Sequence, residues 1–291
     1  MLAHFSVIDV LALNNSEKEH VQSAQPRYWV LDTEIMEIMQ KRSWAFKWLL
    51  GYRDITNATN ERTTIATVLP MGGASQPLNL FMPESTWQGV LWMVAMNSVV
   101  VDYIVRQSIG GLHLNITTCR QLPIISDLKL ESKPGRMILN ASCELVFTSA
   151  ALDGFASDLG YDGPPFRWDE ERRFKVRCEL DALFFHLYGI NRDDADYIIE
   201  TFPIVKRKEI AQYGEHRTKN LILEIFDAMQ RAKETGQPYR TLLNPFPGPL
   251  SAADGSFISM YQWDRDNWPT HIHPPHPDWD ESILNAWFNV S

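Results

Sequence analysis

Two stretches of this chain concentrate side chains that could read a pattern of hydrogen-bond donors and acceptors. The first, RDITNATNERTT, runs from Arg53 to Thr64 between two apolar segments and offers Arg53, Asn60, Arg62 and Thr63. The second, RQSIGGLHLNITTCRQLP, runs from Arg106 to Pro123 and offers Arg106, His113, Asn115, Thr117, Arg120 and Gln121. Arginine forks match guanine O6 and N7, and asparagine matches adenine N6 and N7, so nucleic-acid bases are the natural counterpart of such a set. Arg106 and Arg120 suit phosphate contact better than base reading. Each group also has a structural reading. Arg62 can pair with Glu61 or with a carboxylate elsewhere, Asn60 can hold a turn, and Gly110 and Gly111 can stop a helix.

Other chemistries find less support. HIHPPH brings His271, His273 and His276 together, and an HxH pair on a strand can bind zinc, but no carboxylate partner is evident, so no metal is expected. Asp193, Asp194 and Asp196 fit the first turns of a helix, where carboxylates complement the macrodipole. No paired-acid nuclease core, GxSxG motif or Cys–His dyad stands out.

These residues need a scaffold, and 291 residues with 45% hydrophobic and 22% charged composition can supply one. Cys119, Cys143 and Cys178 form no CxxC pair, which suits a reducing, cytoplasmic setting. The apolar window WQGVLWMVAMNSVVVDYIV carries Gln88, Asn97 and Asp102 and reads as a buried helix, not a membrane span. The net charge of −9 opposes nucleic-acid binding, since phosphate contacts need clustered Lys and Arg. Asp254, Asp264, Asp266, Asp278, Asp280 and Glu281 crowd the end of the chain with Arg265 between them, while acids and bases nearly balance elsewhere.

The expected fold class is α+β, with a small mixed β-sheet and a long buried helix, then a helical module and an extended Pro-rich tail. Residues 1–26 read as an N-terminal segment and linker. Residues 27–125 read as an α+β recognition domain: strands at RYWVL, WAFKWLLGYRDIT, TTIATVLP and LNLFMP, a short helix capped by Asp32, and one helix from Ser85 or Thr86 to Gly110. In the second strand Trp44, Phe46, Trp48, Leu50 and Tyr52 would share a face, and LHLNIT resumes extended structure. Residues 126–165 read as a linker with a weakly helical insert. Residues 166–233 read as a helical module, with an apolar stripe of Val176, Leu180, Leu183, Phe184 and Leu187, a stop at Gly189, a second helix capped by Asn191 or Asp193, and a third from Arg217. Residues 234–291 form the Pro-rich acidic tail.

Three blocks, YRDITNATNERTTIATVLP, NSVVVDYIVRQSIGGLHLNITTCRQLPI and GPPFRWDEERRFKVRCELDALFFHLYGINRDDADYIIETFPIVKRKE followed by YGEHRTKNLILEIFDAM, resemble the C-terminal part of large adenine-N6 DNA methyltransferases. These are the methylases of type IIG restriction-modification enzymes and of phage-exclusion systems such as BREX and DISARM. The resemblance spans about Arg27 to Met229, with the blocks in the family's order. It implies a target-recognition region supported by helices, with Arg53, Asn60, Arg62 and Thr63 at or near duplex DNA. The opening MLAHF reads as a start partway through a larger protein, which agrees with that expectation.

A methyltransferase also needs a Gly-rich loop for S-adenosylmethionine and an Asn or Asp before Pro-Pro-aromatic to hold the flipped base. DGPPF, Asp162 to Phe166, places Gly163 where the amide or carboxylate belongs, and NPFP, Asn244 to Pro247, has the residues out of order. No catalytic residue and no cofactor is therefore expected in this chain. S-adenosylmethionine would bind a catalytic domain or subunit that partners it, and no membrane is involved. The alternative is a protein-interaction module of a defence complex without DNA contact.

Overall fold

The computed structural model describes residues 2–5, 28–74, 77–161, 165–166, 168–236 and 239, with two short strands at 250–251 and 257–258. Strand β1 (Leu2–Phe5) pairs antiparallel with β2 (Tyr28–Leu31), which leads into helix α1 (Asp32–Lys41). Leu31 is the N-cap of α1 and gives no side-chain bond, so Asp32 is not the cap; it sits inside the first turn, where with Glu34 it complements the helix dipole.

Three strands form the central sheet: β3 (Trp48–Arg53) lies between β4 (Ala66–Pro70) and β5 (Leu78–Phe81). All pairings are antiparallel, so the sheet is not mixed. Strand β3 is buried on both faces, because Trp48, Leu50 and Tyr52 join the main core while Leu49 meets Ile35, Met39 and Leu69 beneath α1. Trp44 and Phe46 lie before the strand instead of on it, yet remain in its aromatic cluster, with Phe46 stacked 4.8 Å from Trp48.

Helices α2 (Thr86–Asn97) and α3 (Val99–Ser108) replace the single helix expected there and are bent by 67° at Ser98. Ser98 is the C-cap of one and the N-cap of the other, its hydroxyl donating to Ala95 O (2.7 Å) and accepting from Val101 N (3.3 Å). α2 buries eight consecutive residues, Gly89 to Met96, as a helix apolar on all sides must. A Cβ at Gly89 would lie 2.9 Å from Pro83 and 3.5 Å from Trp48, so the bare glycine lets this helix settle on the sheet. No single helix among the described residues is long and apolar enough to cross a membrane.

The short α4 (Ile116–Cys119) stands where extended structure was expected, and Asn115 before it caps the turn by accepting from Thr118 N. The span read as a linker carries α5 (Lys133–Val146), a 3-10 turn (Ala150–Leu152) and α6 (Asp153–Asp158). Met137, Ile138, Leu139, Ala141 and Cys143 of α5 are buried in the main core. α7 (Glu170–Leu187) follows, capped by Asp169; then α8 (Arg192–Glu200), capped by Asn191; α9 (Pro203–Tyr213); and α10 (Arg217–Thr235). Val176, Leu180, Leu183 and Phe184 of α7 face the same core as Trp48 and Val94, so sheet and helices share one apolar interior. The strands β6 (Leu250–Ser251) and β7 (Phe257–Ile258) pair with each other. His271, His273 and His276 lie outside the described residues.

Candidate nucleic-acid interface

The loop from Asp54 to Ile65 is shaped by charges that reach it from distant parts of the chain. Arg106, near the end of α3, has a side chain only 6% exposed and uses its guanidinium on several partners. Its Nε donates to Asp102 Oδ1 one turn earlier (3.0 Å), its Nη1 to Ala58 O (2.8 Å), and its Nη2 to Asn60 O (2.7 Å) and Glu61 O (2.9 Å). The Phe202 ring lies 4.1 Å from its centre, a cation–π contact that closes the remaining face. Asp102, fully buried, also accepts from Thr63 N (3.2 and 3.0 Å).

Arg62 reaches from the loop toward the same cluster, over the Phe202 ring at 5.8 Å. Its Nη2 donates to Asp181 Oδ2 of α7 (3.3 Å), 119 residues later in sequence, and its Nη1 stands 3.9 Å from Asp102. Asp181 also accepts from Val99 N (2.7 Å) at the start of α3. Burial raises the Asp181 carboxyl above its usual range, while Arg62 and the Val99 amide oppose that shift. Arg53 donates through Nη2 to Thr56 Oγ1 (3.3 Å) and Arg62 O (3.1 Å). Burial lowers its guanidinium below the usual range, with Asp102 acting against the change.

The remaining loop contacts are local. Thr56 Oγ1 donates to Thr63 O (2.6 Å), and the fully buried Thr63 returns its hydroxyl to Asn57 O (3.3 Å). Asn57, not Asn60, makes the Asx turn, its Oδ1 accepting from Thr59 N (2.9 Å). Asn60 is half-buried, with Nδ2 3.5 Å from Thr56 Oγ1. Arg62 pairs with a remote carboxylate instead of its neighbour Glu61, which is bound by Lys208 of α9.

The second stretch is stitched to the first. Ile55 bridges His113, Thr56 N donates to Leu112 O (2.9 Å), Leu114 N donates to Asp54 O (2.8 Å), and His113 Nδ1 lies 2.9 Å from Asp54 Oδ2. The segment beyond this seam is open: Asn115, Thr117, Arg120 and Gln121 are exposed, with Leu112 and Ile116 exposed beside them. Eight candidate residues thus fall into two groups. Arg53, Asn60, Arg62, Thr63 and Arg106 build the loop from within, and Asn115, Arg120 and Gln121 line the exposed edge next to it.

Sequence reasoning did not single out Asp102 as an anchor, nor Asp181, Phe202 or Lys208. The spacing of Asp102 and Arg106, four residues apart on a helix, was a readable ion-pair signal; the 119-residue link from Arg62 to Asp181 was not. Among the described residues no group of three His, Cys, Asp or Glu could hold a metal ion. Comparison with protein-family models, curated proteins and solved structures finds no match.

Proposed function

We propose that this chain is the DNA target-recognition part of an adenine-specific DNA methyltransferase or restriction-modification system, acting with a catalytic domain or subunit. That partner would bind S-adenosylmethionine, flip the base and methylate it. The family resemblance supports this reading, and one observation carries it furthest: the three resembling blocks, remote in sequence, meet at one cluster. The first block contributes Arg62 and Thr63, the second Asp102 and Arg106, and the third Asp181 and Phe202. A rigid loop fixed this way, with Asn115, Arg120 and Gln121 exposed beside it, suits a surface that must hold its geometry against a duplex.

Binding of the full chain to random duplex DNA, at low and moderate salt, tests the proposal. Arg120→Ala is expected to lower the salt slope by about 0.9, the value of one phosphate contact, and Gln121→Ala to leave that slope unchanged. Absence of binding at low salt would overturn it. The second reading, an interaction module without DNA contact, is favoured by the net charge of −9 and by the internal use of Arg53, Arg62 and Arg106.

A further inference from the structure

Helix α9 is unlike the other long helices of this chain, because none of its eleven residues is fully buried. It carries the basic run Lys206, Arg207 and Lys208. Lys206 is held by Glu200 of α8 (2.6 Å), Arg207 is exposed, and Lys208 reaches across to Glu61 at the tip of the 54–65 loop. Loop tip and helix are therefore neighbours on one surface.

The Arg106 clamp gives that tip a polarity. In a trans peptide the C=O and the following N–H point in opposite directions. Arg106 draws in the carbonyls of Ala58, Asn60 and Glu61, so the amides of Thr59, Glu61 and Arg62 are turned away from it. Asn57 Oδ1 takes the Thr59 amide, whereas the Glu61 and Arg62 amides have no acceptor among the described residues. Two successive unpaired backbone donors, an exposed arginine and a lysine then border one another, and Glu61 is the carboxylate that lies on the lysine.

We infer that the face where the 57–62 loop meets α9 is a phosphate-contacting surface for the DNA backbone, with Glu61 occupying the Lys208 position until a phosphate displaces it. The inference rests on the DNA-recognition reading above and adds to it the residues Arg207 and Lys208, the Glu61 and Arg62 amides, and a built-in acidic placeholder. Backbone amides and basic side chains together are the usual partners of phosphate oxygens, and they position a duplex without reading its sequence.

The test is the salt dependence of duplex binding by the full chain, with random-sequence DNA as probe. Arg207→Ala with Lys208→Ala is expected to lower the slope of log K against log salt by about 1.8, so that the gain in affinity from 200 mM down to 50 mM salt is roughly twelvefold smaller than in the wild type. Glu61→Gln frees Lys208 and is expected to tighten binding and steepen the slope. Arg231→Ala with Lys233→Ala, near the far end of α10 and about 20 Å along that helix from Lys219, which shares Glu200 with Lys206, is expected to change neither. If the wild-type chain binds and the Arg207/Lys208 variant keeps its slope, this surface is wrong while the DNA reading stands. If the Glu61→Gln chain binds no more tightly, the placeholder role falls. If no variant and no wild type binds at low salt, the DNA reading fails and takes this inference with it.

Discussion

Replacing Arg106 with methionine keeps an unbranched chain of similar reach but removes the whole guanidinium. Asp102, whose side chain is 1% exposed, would keep the Thr63 amide and an arginine nitrogen 3.9 Å away, and would lose its close cation. Breaking a buried pair by removing one partner typically costs about 3–5 kcal/mol, since the remaining charge is stranded. The retained Thr63 bond lowers that figure. The three loop carbonyls lie near the surface, where water can replace the lost donors at small cost. The expectation is about 3–4 kcal/mol, seen as a fall of roughly 10 °C in Tm for a chain of this size. Asp102→Asn removes the charge but still accepts from Thr63, so the double variant should recover part of the loss, with a coupling of about 2 kcal/mol or more in a double-mutant cycle. Arg106→Lys should fall between, because an ammonium satisfies the carboxylate but cannot span three carbonyls in the geometry of a planar fork. Urea unfolding and thermal melts of the wild type and the four variants measure all of this. A loss under about 1 kcal/mol for Arg106→Met, or strict additivity with Asp102→Asn, would refute the claim that this pair organises the loop.

Gly135→Ala should destabilise by about 2–3 kcal/mol, because its Cβ would meet Lys129 O at 2.2 Å and Leu130 O at 2.8 Å; Gly110→Ala, with nothing within 4 Å, should stay within about 0.5 kcal/mol in the same thermal melts. Glu200 accepts from Lys206 and Lys219, both at 2.6 Å, and these bonds lower its carboxyl from 4.5 to about 2. Its stabilisation is thus fully present above pH 4.5 and fades as pH falls toward 2, so Glu200→Gln should cost about 1 kcal/mol at neutral pH, allowing for its partial exposure, and progressively less in acid; a gap that does not narrow in urea titrations below pH 4.5 would contradict this. Burial raises the thiols of Cys143 and Cys178 far above their ordinary range, and raises that of half-buried Cys119 as well, so a thiol reagent should label at most Cys119 in the native chain and all three cysteines in urea.

The elements that the sequence made legible are those whose signals are local. Asn191 before Arg192, Ser85 before Thr86 and Gly189 after α7 act where they stand: the two side chains accept from amides three residues on, and the glycine takes a positive φ of 67°. α9 had comparable punctuation, Pro203 in its first turn and Gly214 at φ 79°, but its apolar residues make no buried stripe, so periodicity gave no reason to look. α5 was obscured by Gly135 in its first turn, a poor helix former that is required there because a backbone carbonyl approaches where its Cβ would be. The break at Ser98 combines a local cap, the serine's own hydroxyl, with a remote one, Asp181, which takes the Val99 amide from 82 residues away. Helix capping by a remote carboxylate has no local pattern to recognise. The same limit applies to the 54–65 loop. Its donors and acceptors could be counted from RDITNATNERTT, but whether a given arginine faces outward or inward depends on where Asp102, Asp181 and Phe202 arrive. Because those three come from α3, α7 and the start of α9, the burial of Arg106 is a property of the assembled core, and the residues left to meet a ligand are the ones which that core did not need.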